Sequence, residues 1–151
     1  MLLTSHLAAS VLVGNAFITN NGEWAVALLG GVLVDADHFF VNKKWIDDVK
    51  IFVKEKKIVR GINQHSWFQE WLFGLFSASL LGLFINFIFP QIRWWVLPVF
   101  LCIHIAMDSI MVCEHKPFVP FSTWSYWGFL KSGTIIEFVV SIAILFWIFI
   151  S

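Results

Sequence analysis

The sequence has few charged residues for its length. Charged side chains make up 13% of the 151 residues, hydrophobic ones make up 59%, and the mean hydropathy is +0.80. A soluble domain is typically about half apolar and about a quarter charged. The scarcity of charge therefore excludes an ordinary soluble domain and predicts an integral membrane protein. The length suits a single domain, residues 1–151.

The sequence has only two cysteines, and it shows no pattern typical of a cleavable leader. The two cysteines are Cys102 and Cys113. Within one predicted helix they would lie roughly 16 Å apart, which is too far for a disulfide, and their spacing is not a metal motif. No basic region precedes the first apolar stretch and no small-residue cleavage site is evident, so we expect no cleavable signal.

The basic residues are concentrated in one stretch. Seven of the ten lie in Lys43–Arg60. One helical face of this stretch carries the apolar residues Trp45, Val49, Phe52 and Val53. This pattern predicts a basic amphipathic helix over residues 41–60 that lies in the membrane interface and contacts anionic lipid headgroups, with a solvated loop as the alternative. Lipid headgroups explain the basic charge more simply than nucleic acid, which we do not expect as a partner.

Apolar segments separated by short polar turns predict an all-α integral membrane bundle. A membrane-spanning helix needs about 20 residues, and the sequence offers four to five candidates in addition to the interfacial helix. The predicted segments are residues 2–19, Glu23–Phe40, Ser66–Phe89, Trp94–Val112 and Thr134–Ile150. Residues 113–132 hold two prolines and several aromatic residues, which predicts a loop pressed into the interface.

Charge asymmetry predicts the orientation of this bundle. If the basic stretch is cytoplasmic by the positive-inside rule, the N-terminus is also cytoplasmic and the C-terminus lies outside. Only Arg93 is then on the outer side, so nine of the ten basic residues are cytoplasmic. We therefore expect an inner or plasma membrane protein in this orientation.

Seven ionisable residues interrupt or end the apolar segments, and the predicted topology brings all of them to the cytoplasmic side. Ionisable groups at membrane depth are expensive and mark functional sites. His104 and Asp108 lie at positions i and i+4, so both point from one helix face. We expect the set to converge on a metal site. Its members are His6, Asp35, Asp37, His38, His65, His104 and Asp108.

Imidazole and carboxylate ligands suit a divalent transition metal. Zinc is the first choice, with manganese or iron as alternatives. Seven candidates exceed one tetrahedral site, so either two ions are bound or some residues orient the ligands. The alternative is a metal-free hydrogen-bond cluster that holds the helices together.

Several motifs together resemble the membrane-bound metal-dependent hydrolases of the YdjM/DUF457 type, over residues 5–109. That family is itself similar, at a distance, to zinc-dependent phospholipase C and the P1-type nucleases, which are helical and hydrolyse phosphoesters. The motifs that carry the resemblance are Ser5-His6-Leu7, Asp35-Ala36-Asp37-His38, Arg60-Gly61 with His65-Ser66, and His104-Ile105-Ala106-Met107-Asp108-Ser109.

The resemblance implies a metal-dependent hydrolase acting on a phosphoester, such as a lipid headgroup, at the cytoplasmic interface. It implies metal binding by six of the residues above, with His38 near the site, and phosphate contacts by Arg60 and Ser66. Asp37 or Glu70 would accept the proton of the attacking water.

Two other classes of protein remain as alternatives. In a non-catalytic membrane subunit, the same cluster would be a closed structural site with no open coordination position. In an ion carrier, polar residues would continue across the bilayer. The outer halves of the segments hold only Asn15 and Asn86, which argues against a carrier.

Overall fold

A computed structural model describes residues 3–37, 67–112, 114–131 and 134–150. This part of the chain is mainly α-helical, as the sequence predicts. Its five α-helices, numbered in chain order, are α1 (Leu3–Phe17), α2 (Asn21–Gly31), α3 (Trp71–Ile88), α4 (Val96–Ser109) and α5 (Ile135–Ile150).

Short elements flank the helices. Two 3-10 helices, η1 (Leu33–Asp37) and η2 (Trp67–Gln69), follow α2 and precede α3. Between α4 and α5, the strands β1 (Glu114–His115) and β2 (Tyr126–Trp127) pair antiparallel. The segment predicted as a loop over residues 113–132 therefore contains a small hairpin.

Contacts between helices fix their relative directions. Trp71 at the start of α3 donates to Ser109 at the end of α4, so these helices are antiparallel. Glu23 and Arg93 meet at one end of the α2–α4 pair, whereas Gly31 and His104 meet near the other end, so these helices are parallel. We call the end where α3 begins and α4 ends the lower end, and the opposite end the upper end.

Helices α1 and α5 also begin at the lower end. Ser5 in the first turns of α1 contacts Glu137 and Ser141 in the first turns of α5, and His6 contacts Asp108 near the end of α4. Helices α1, α3 and α5 therefore run upwards, and α2 and α4 run downwards.

Helix α4 is the centre of the core. It contributes seven buried residues and packs against α2 and α3. The apolar core cluster consists of Val26, Ala27, Ala78, Ile92, Val96, Leu97, Phe100, Leu101 and Ile105. Small residues allow these helices to approach closely. A Cβ added to Gly82 would lie 2.2 Å from the carbonyl oxygen of Trp94, and one added to Gly30 would lie 2.9 Å from that of Leu97.

Two helices predicted from the sequence are shorter in the structure. The prediction of one helix over Glu23–Phe40 is wrong, because α2 ends at Gly31 and the chain continues as a 3-10 helix. Gly30 and Gly31 have low helix propensity, which favours an end there. Over Ser66–Phe89 the helix is interrupted at Glu70, which has an extended backbone and forms the N-cap of α3.

One helix, α3, is long and apolar enough to span a membrane. Helices α1, α4 and α5 are apolar but have 14 to 16 residues, which corresponds to roughly 21–24 Å at about 1.5 Å per residue. The hydrocarbon core of a bilayer is about 30 Å thick. These helices therefore fall short of the predicted spanning length.

Candidate metal centre

Four of the predicted residues converge at the lower end of the bundle. His6 comes from α1, Asp35 from η1, and His104 and Asp108 from α4. One ligand atom from each of these side chains lies within 4.8 Å of every other. We call these four residues the His/Asp cluster. Three separate parts of the chain build it. The sequence predicts a larger set of seven residues from four helices, of which the structure brings these four together.

Each carboxylate of the His/Asp cluster faces the Nε2 atoms of both imidazole rings. The oxygens of Asp108 lie 3.1 Å from Nε2 of His6 and 3.3 Å from Nε2 of His104. The oxygens of Asp35 lie 3.8 Å and 3.2 Å from the same two nitrogens. Both Nε2 atoms therefore face the same two carboxylates.

A tetrahedral metal site sets a scale for these distances. Zinc is bound at about 2.0–2.2 Å by imidazole nitrogen and carboxylate oxygen. The edge of a tetrahedron is about 1.6 times the centre-to-vertex distance, which gives ligand separations of roughly 3.3–3.6 Å for those bond lengths. The four N···O distances, 3.1 to 3.8 Å, are close to this range but involve both oxygens of each carboxylate. With one ligand atom from each side chain, all four atoms lie within 4.8 Å of one another, so side-chain rotations would bring them to a common ion.

The orientation of His104 favours a ligand role for its Nε2 atom. Nδ1 of His104 lies 3.1 Å from the carbonyl oxygen of Gly31 and can only donate to it. A neutral ring held in this way has its lone pair on Nε2. That atom is buried, and oxygens of Asp35 and Asp108 lie 3.2 Å and 3.3 Å from it. Either a proton on Nε2 or a cation between these atoms would relieve the repulsion of lone pairs.

Charge balance in the cluster also favours a bound cation. The rings of His6 and His104 are stacked with 4.0 Å between centroids, so two imidazolium charges there would repel at close range. With at most one ring protonated, the two carboxylates leave a net negative charge in a buried site. An uncompensated buried charge is strongly unfavourable. A bound cation would offset it.

The His/Asp cluster is closed on most sides. His6, His104 and Asp108 are 0–4% exposed, whereas the side chain of Asp35 is 18% exposed. Asp35 therefore forms the accessible side of the site, at the lower end of the bundle.

The backbone carbonyl of Gly31 orients the His104 ring in the site. A Cβ added to Gly31 would lie 2.2 Å from the hydroxyl of Ser10 on α1.

Gly31→Ala would displace the carbonyl that orients His104, and loss of such an orienting partner typically weakens metal binding about 10- to 100-fold. We expect zinc affinity, measured by competition with a chromogenic chelator, to fall within that range. Gly22→Ala lies at the opposite end of the same helix and should leave zinc affinity unchanged, since its Cβ would meet side chains of Ile92 and Asn20 that do not touch the site. Equal losses in both variants would contradict this role.

Glu70 is a buried carboxylate near the His/Asp cluster. Its neighbour Gln69 donates to the carbonyl of Val34, next to Asp35, and Trp71 donates to Ser109, next to Asp108. One oxygen of Glu70 accepts a hydrogen bond from the backbone N–H of Lys116. The other oxygen has no partner among the described residues. Burial raises the pKa of Glu70, as expected for a group that could exchange a proton.

The raised pKa of Glu70 gives a pH dependence of stability with a definite sign. The folded state binds the proton more tightly than the unfolded state, so this residue stabilises the fold below pH 4.5, its ordinary pKa, and the contribution is lost as pH rises through the folded pKa. We expect the melting temperature of Glu70→Gln, relative to the wild type, to increase by a few degrees from acidic to neutral pH. A difference that stays flat across this pH range would contradict the prediction.

The remaining predicted site residues are not placed by the structure. His38, Arg60, His65 and Ser66 lie outside the described residues, as does the predicted interfacial helix over residues 41–60. The backbone of Asp37 ends η1, and its side chain is outside the description. A second metal ion and the phosphate contacts therefore stay predictions.

Two residues near the site were missed by sequence reasoning. His115, which lies in the segment predicted as a loop, is buried on β1 and stacks on Tyr126. Burial lowers the pKa of His115, which favours a neutral ring. Gln69 is likewise buried and links η2 to η1. The stacking of His115 depends on the pairing of β1 with β2, and the Gln69 contact joins residues 35 positions apart, so no local spacing in the sequence marks either.

Comparisons of the chain with protein-family models, with curated proteins and with solved structures found no match.

Proposed function

We propose that this protein is an integral membrane, metal-dependent hydrolase that acts on a phosphoester of an amphiphilic molecule at the cytoplasmic interface. The observation that carries the proposal is the His/Asp cluster, in which four ligand atoms from three parts of the chain lie within 4.8 Å of one another. The resemblance of the motifs around these residues to YdjM-type hydrolases supports the reaction class.

Membrane insertion is supported by the outer surface of the bundle. Large apolar side chains are exposed on the helices that flank the core, where water would disfavour them. The most exposed include Phe76 and Phe87 on α3, and Ile135, Phe146 and Phe149 on α5. In the proposal all five α-helices lie in the bilayer as a bundle, with the short helices extended by interfacial residues or by local thinning of the bilayer.

The cytoplasmic orientation is supported by the position of the basic residues. Seven of the ten basic residues lie in the segment that connects Asp37 to Trp67. Both Asp37 and Trp67 lie at the lower end of the bundle. Arg93 is at the upper end and is neutralised by Glu23. The positive-inside rule then places the lower end, and with it the His/Asp cluster, in the cytoplasm.

A divalent ion at this cluster, zinc by preference, would supply a hydroxide nucleophile at neutral pH and polarise a phosphoryl oxygen. His6, His104 and Asp108 would hold the ion in the closed part of the site, and Asp35 forms its open side. Glu70, buried nearby with one oxygen that has no partner among the described residues, and Asp37 are the candidates for accepting the proton of the attacking water. Arg60 would offset charge on the phosphate, and Ser66 would donate a hydrogen bond to it.

The test combines metal analysis with an activity assay. Protein purified in detergent should contain about one zinc per His/Asp cluster, as the four-ligand geometry implies, and should hydrolyse a phospholipid or another phosphoester in a chelator-sensitive reaction. Absence of chelator-sensitive turnover on a panel of phosphoesters would count against the hydrolase. Absence of metal would count against the site.

A second candidate is a non-catalytic membrane subunit with a structural metal site. It is favoured by the near-complete burial of three of the four ligands, since structural sites are closed whereas catalytic sites keep an open position. In this case the protein would contain metal and lose stability on His104→Ala, without hydrolysing any phosphoester.

A further inference from the structure

Two buried polar atoms on one face of α1 have no hydrogen-bond partner among the described residues. They are Nδ1 of His6 and the hydroxyl oxygen of Ser10. Both residues are only 1% exposed, so bulk water does not reach these atoms. A polar group left without a partner at that depth is unfavourable, and native structures leave few such groups. The pair therefore needs a physical explanation.

Helical geometry places these two residues one above the other. His6 and Ser10 occupy positions i and i+4 of α1, where the Cβ atoms are about 5–6 Å apart. The Cα–Cβ bonds of a helix tilt toward its N-terminus, so the hydroxyl of Ser10 leans toward the turn that carries His6. The ring nitrogen and the hydroxyl are therefore within reach of a hydrogen bond, either direct or through one water.

The orientation of the His6 ring turns Nδ1 away from the carboxylates. Nε2 of His6 contacts Asp108 at 3.1 Å, and the two nitrogens of an imidazole are distinct atoms that point in different directions. The ring stacks on that of His104, whose Nδ1 is held by the carbonyl of Gly31. Ser10 packs on the same glycine, since a Cβ added to Gly31 would lie 2.2 Å from the hydroxyl oxygen. The hydroxyl thus lies beside the group that orients the other histidine.

The hydroxyl of Ser10 does not make the bond that three other helical serines make. Ser79, Ser109 and Ser141 each donate to the backbone carbonyl four residues earlier, which satisfies a hydroxyl inside a helix. Ser10 does not donate to the carbonyl of His6, because its oxygen has no partner among the described residues. This hydroxyl is therefore available to a neighbouring side chain.

The other hydroxyls of α1 are not placed to serve the His6 ring. Ser5 donates to Glu137 of α5. Thr4 also has a buried hydroxyl without a partner among the described residues. However, two residues correspond to about 200° around a helix with 3.6 residues per turn, so Thr4 lies on another face from His6. Among the hydroxyls of α1, that of Ser10 is the one that can meet Nδ1.

We propose that Ser10 is a positioning residue of the metal site, and that its hydroxyl accepts a hydrogen bond from Nδ1–H of His6. That bond selects the tautomer in which Nε2 of His6 has the lone pair of a ligand. Metal-binding histidines almost always donate their other ring N–H to such a partner, and the carbonyl of Gly31 has this position at His104. The inference rests on the metal site of the proposed function, but not on hydrolysis.

Zinc affinity of the protein in detergent, measured by competition with a chromogenic chelator, tests this role. Ser10→Ala should weaken zinc binding about 10- to 100-fold, the usual effect of losing an orienting partner. Thr4→Val is the matched control, because it also removes a buried hydroxyl from α1, and it should bind zinc like the wild type. Ser10→Thr keeps a hydroxyl and should retain most of the affinity. Unchanged affinity in Ser10→Ala, or an equal loss in Thr4→Val, would overturn the proposal.

The Nδ1 proton of His6 gives a readout that a purely structural role of Ser10 would not move. In zinc-bound protein with ¹⁵N-labelled histidine, this proton should give a downfield, slowly exchanging signal, identified by its absence from His6→Gln. Ser10→Ala should shift the signal upfield or remove it through exchange, and Ser10→Thr should keep it.

The possible failures are distinguishable. A His6 signal that is absent from the zinc-bound wild type, or unchanged in Ser10→Ala, would overturn the role of the hydroxyl even if affinity falls. A wild type that binds no zinc would overturn the metal site itself, and this inference with it. Zinc binding without hydrolysis of any phosphoester would overturn only the proposed reaction.

Discussion

Replacement of Arg93 by Ala should lower the melting temperature by on the order of 10 °C, since it would leave a buried carboxylate without the partly exposed arginine that pairs with it, and an unpaired buried charge is strongly destabilising. Glu23 is fully buried at the upper end of the bundle. Its carboxylate accepts hydrogen bonds from Nε and Nη2 of Arg93, both at 2.6 Å, and from the backbone N–H of the same residue at 3.1 Å. Arg93→Ala would leave this carboxylate without its counter-charge.

The Arg93 side chain also joins other elements at the upper end. Its guanidinium donates to the carbonyl of Phe17 at the end of α1 and lies 4.6 Å from the ring centroid of Trp95. The hydrogen bond to Glu23 raises the pKa of Arg93, so the guanidinium stays charged at neutral pH. One side chain thus links α1, α2 and the start of α4.

Thermal unfolding in detergent, followed by circular dichroism, measures this effect. Lys116→Ala is the matched control, because its pair with Glu114 is exposed and 3.8 Å long, and such pairs contribute little. The double variant Glu23→Gln with Arg93→Ala should recover part of the loss, since no unpaired carboxylate remains. Equal shifts for Arg93→Ala and Lys116→Ala would show that the pair at the upper end is not important for stability.

The sequence did not predict the Glu23–Arg93 pair, for a physical reason. The local sequence predicts that Glu23 lies at the start of a helix and that Arg93 lies in a turn. Their contact depends on the parallel packing of α2 and α4, which is set by close approach at Gly30 and by the apolar core. Packing of this kind leaves no periodic signal in either segment.

The four residues of the His/Asp cluster were predictable, and the reason is energetic. An imidazole or a carboxylate in an apolar segment is costly unless it has a partner. The positions of His6, Asp35, His104 and Asp108 along successive segments then placed all of them at one end. The hydrogen bond from His104 to the carbonyl of Gly31 could not be predicted, because every residue has a carbonyl and only the fold selects one.

Helix ends were predicted less well than helix positions. The run of apolar residues continues through Val32 and Val34, and this pattern predicts a helix to Phe40. In the structure the chain leaves the α-helical conformation after Gly31. The 3-10 turn that follows places Asp35 beside His104. An unbroken α-helix would have presented Asp35 on a different face, so the end of α2 is itself a condition for the site.

The second large effect is expected on zinc affinity, when a residue of the His/Asp cluster is replaced. Asp108→Asn keeps the size of the side chain and removes a ligand charge shared between both imidazoles. Orienting residues alone contribute about 10- to 100-fold to metal affinity, so loss of a direct ligand should lower zinc affinity by at least roughly 100-fold. His104→Gln should have a similar effect, since Nε2 of His104 contacts both carboxylates.

Zinc analysis and thermal unfolding together measure this loss. The variants should lose the bound zinc that we expect in the wild type. Added zinc at about 100 times its dissociation constant should stabilise the wild type by about 2.7 kcal/mol and should not stabilise the variants. Ser109→Ala is the control, since this residue follows Asp108 but bonds only to Trp71 and the backbone of Ile105 in the described contacts.

Asp108→Asn also separates a metal site from a metal-free hydrogen-bond cluster. In a metal-free cluster, Asp108 and one protonated ring would stabilise each other, so the variant would unfold more readily in the presence of chelator. In a metal site, added zinc should stabilise the wild type and not Asp108→Asn. In a metal-free cluster, added zinc should stabilise neither protein. A wild type that zinc does not stabilise would therefore contradict metal binding as the role of these four residues.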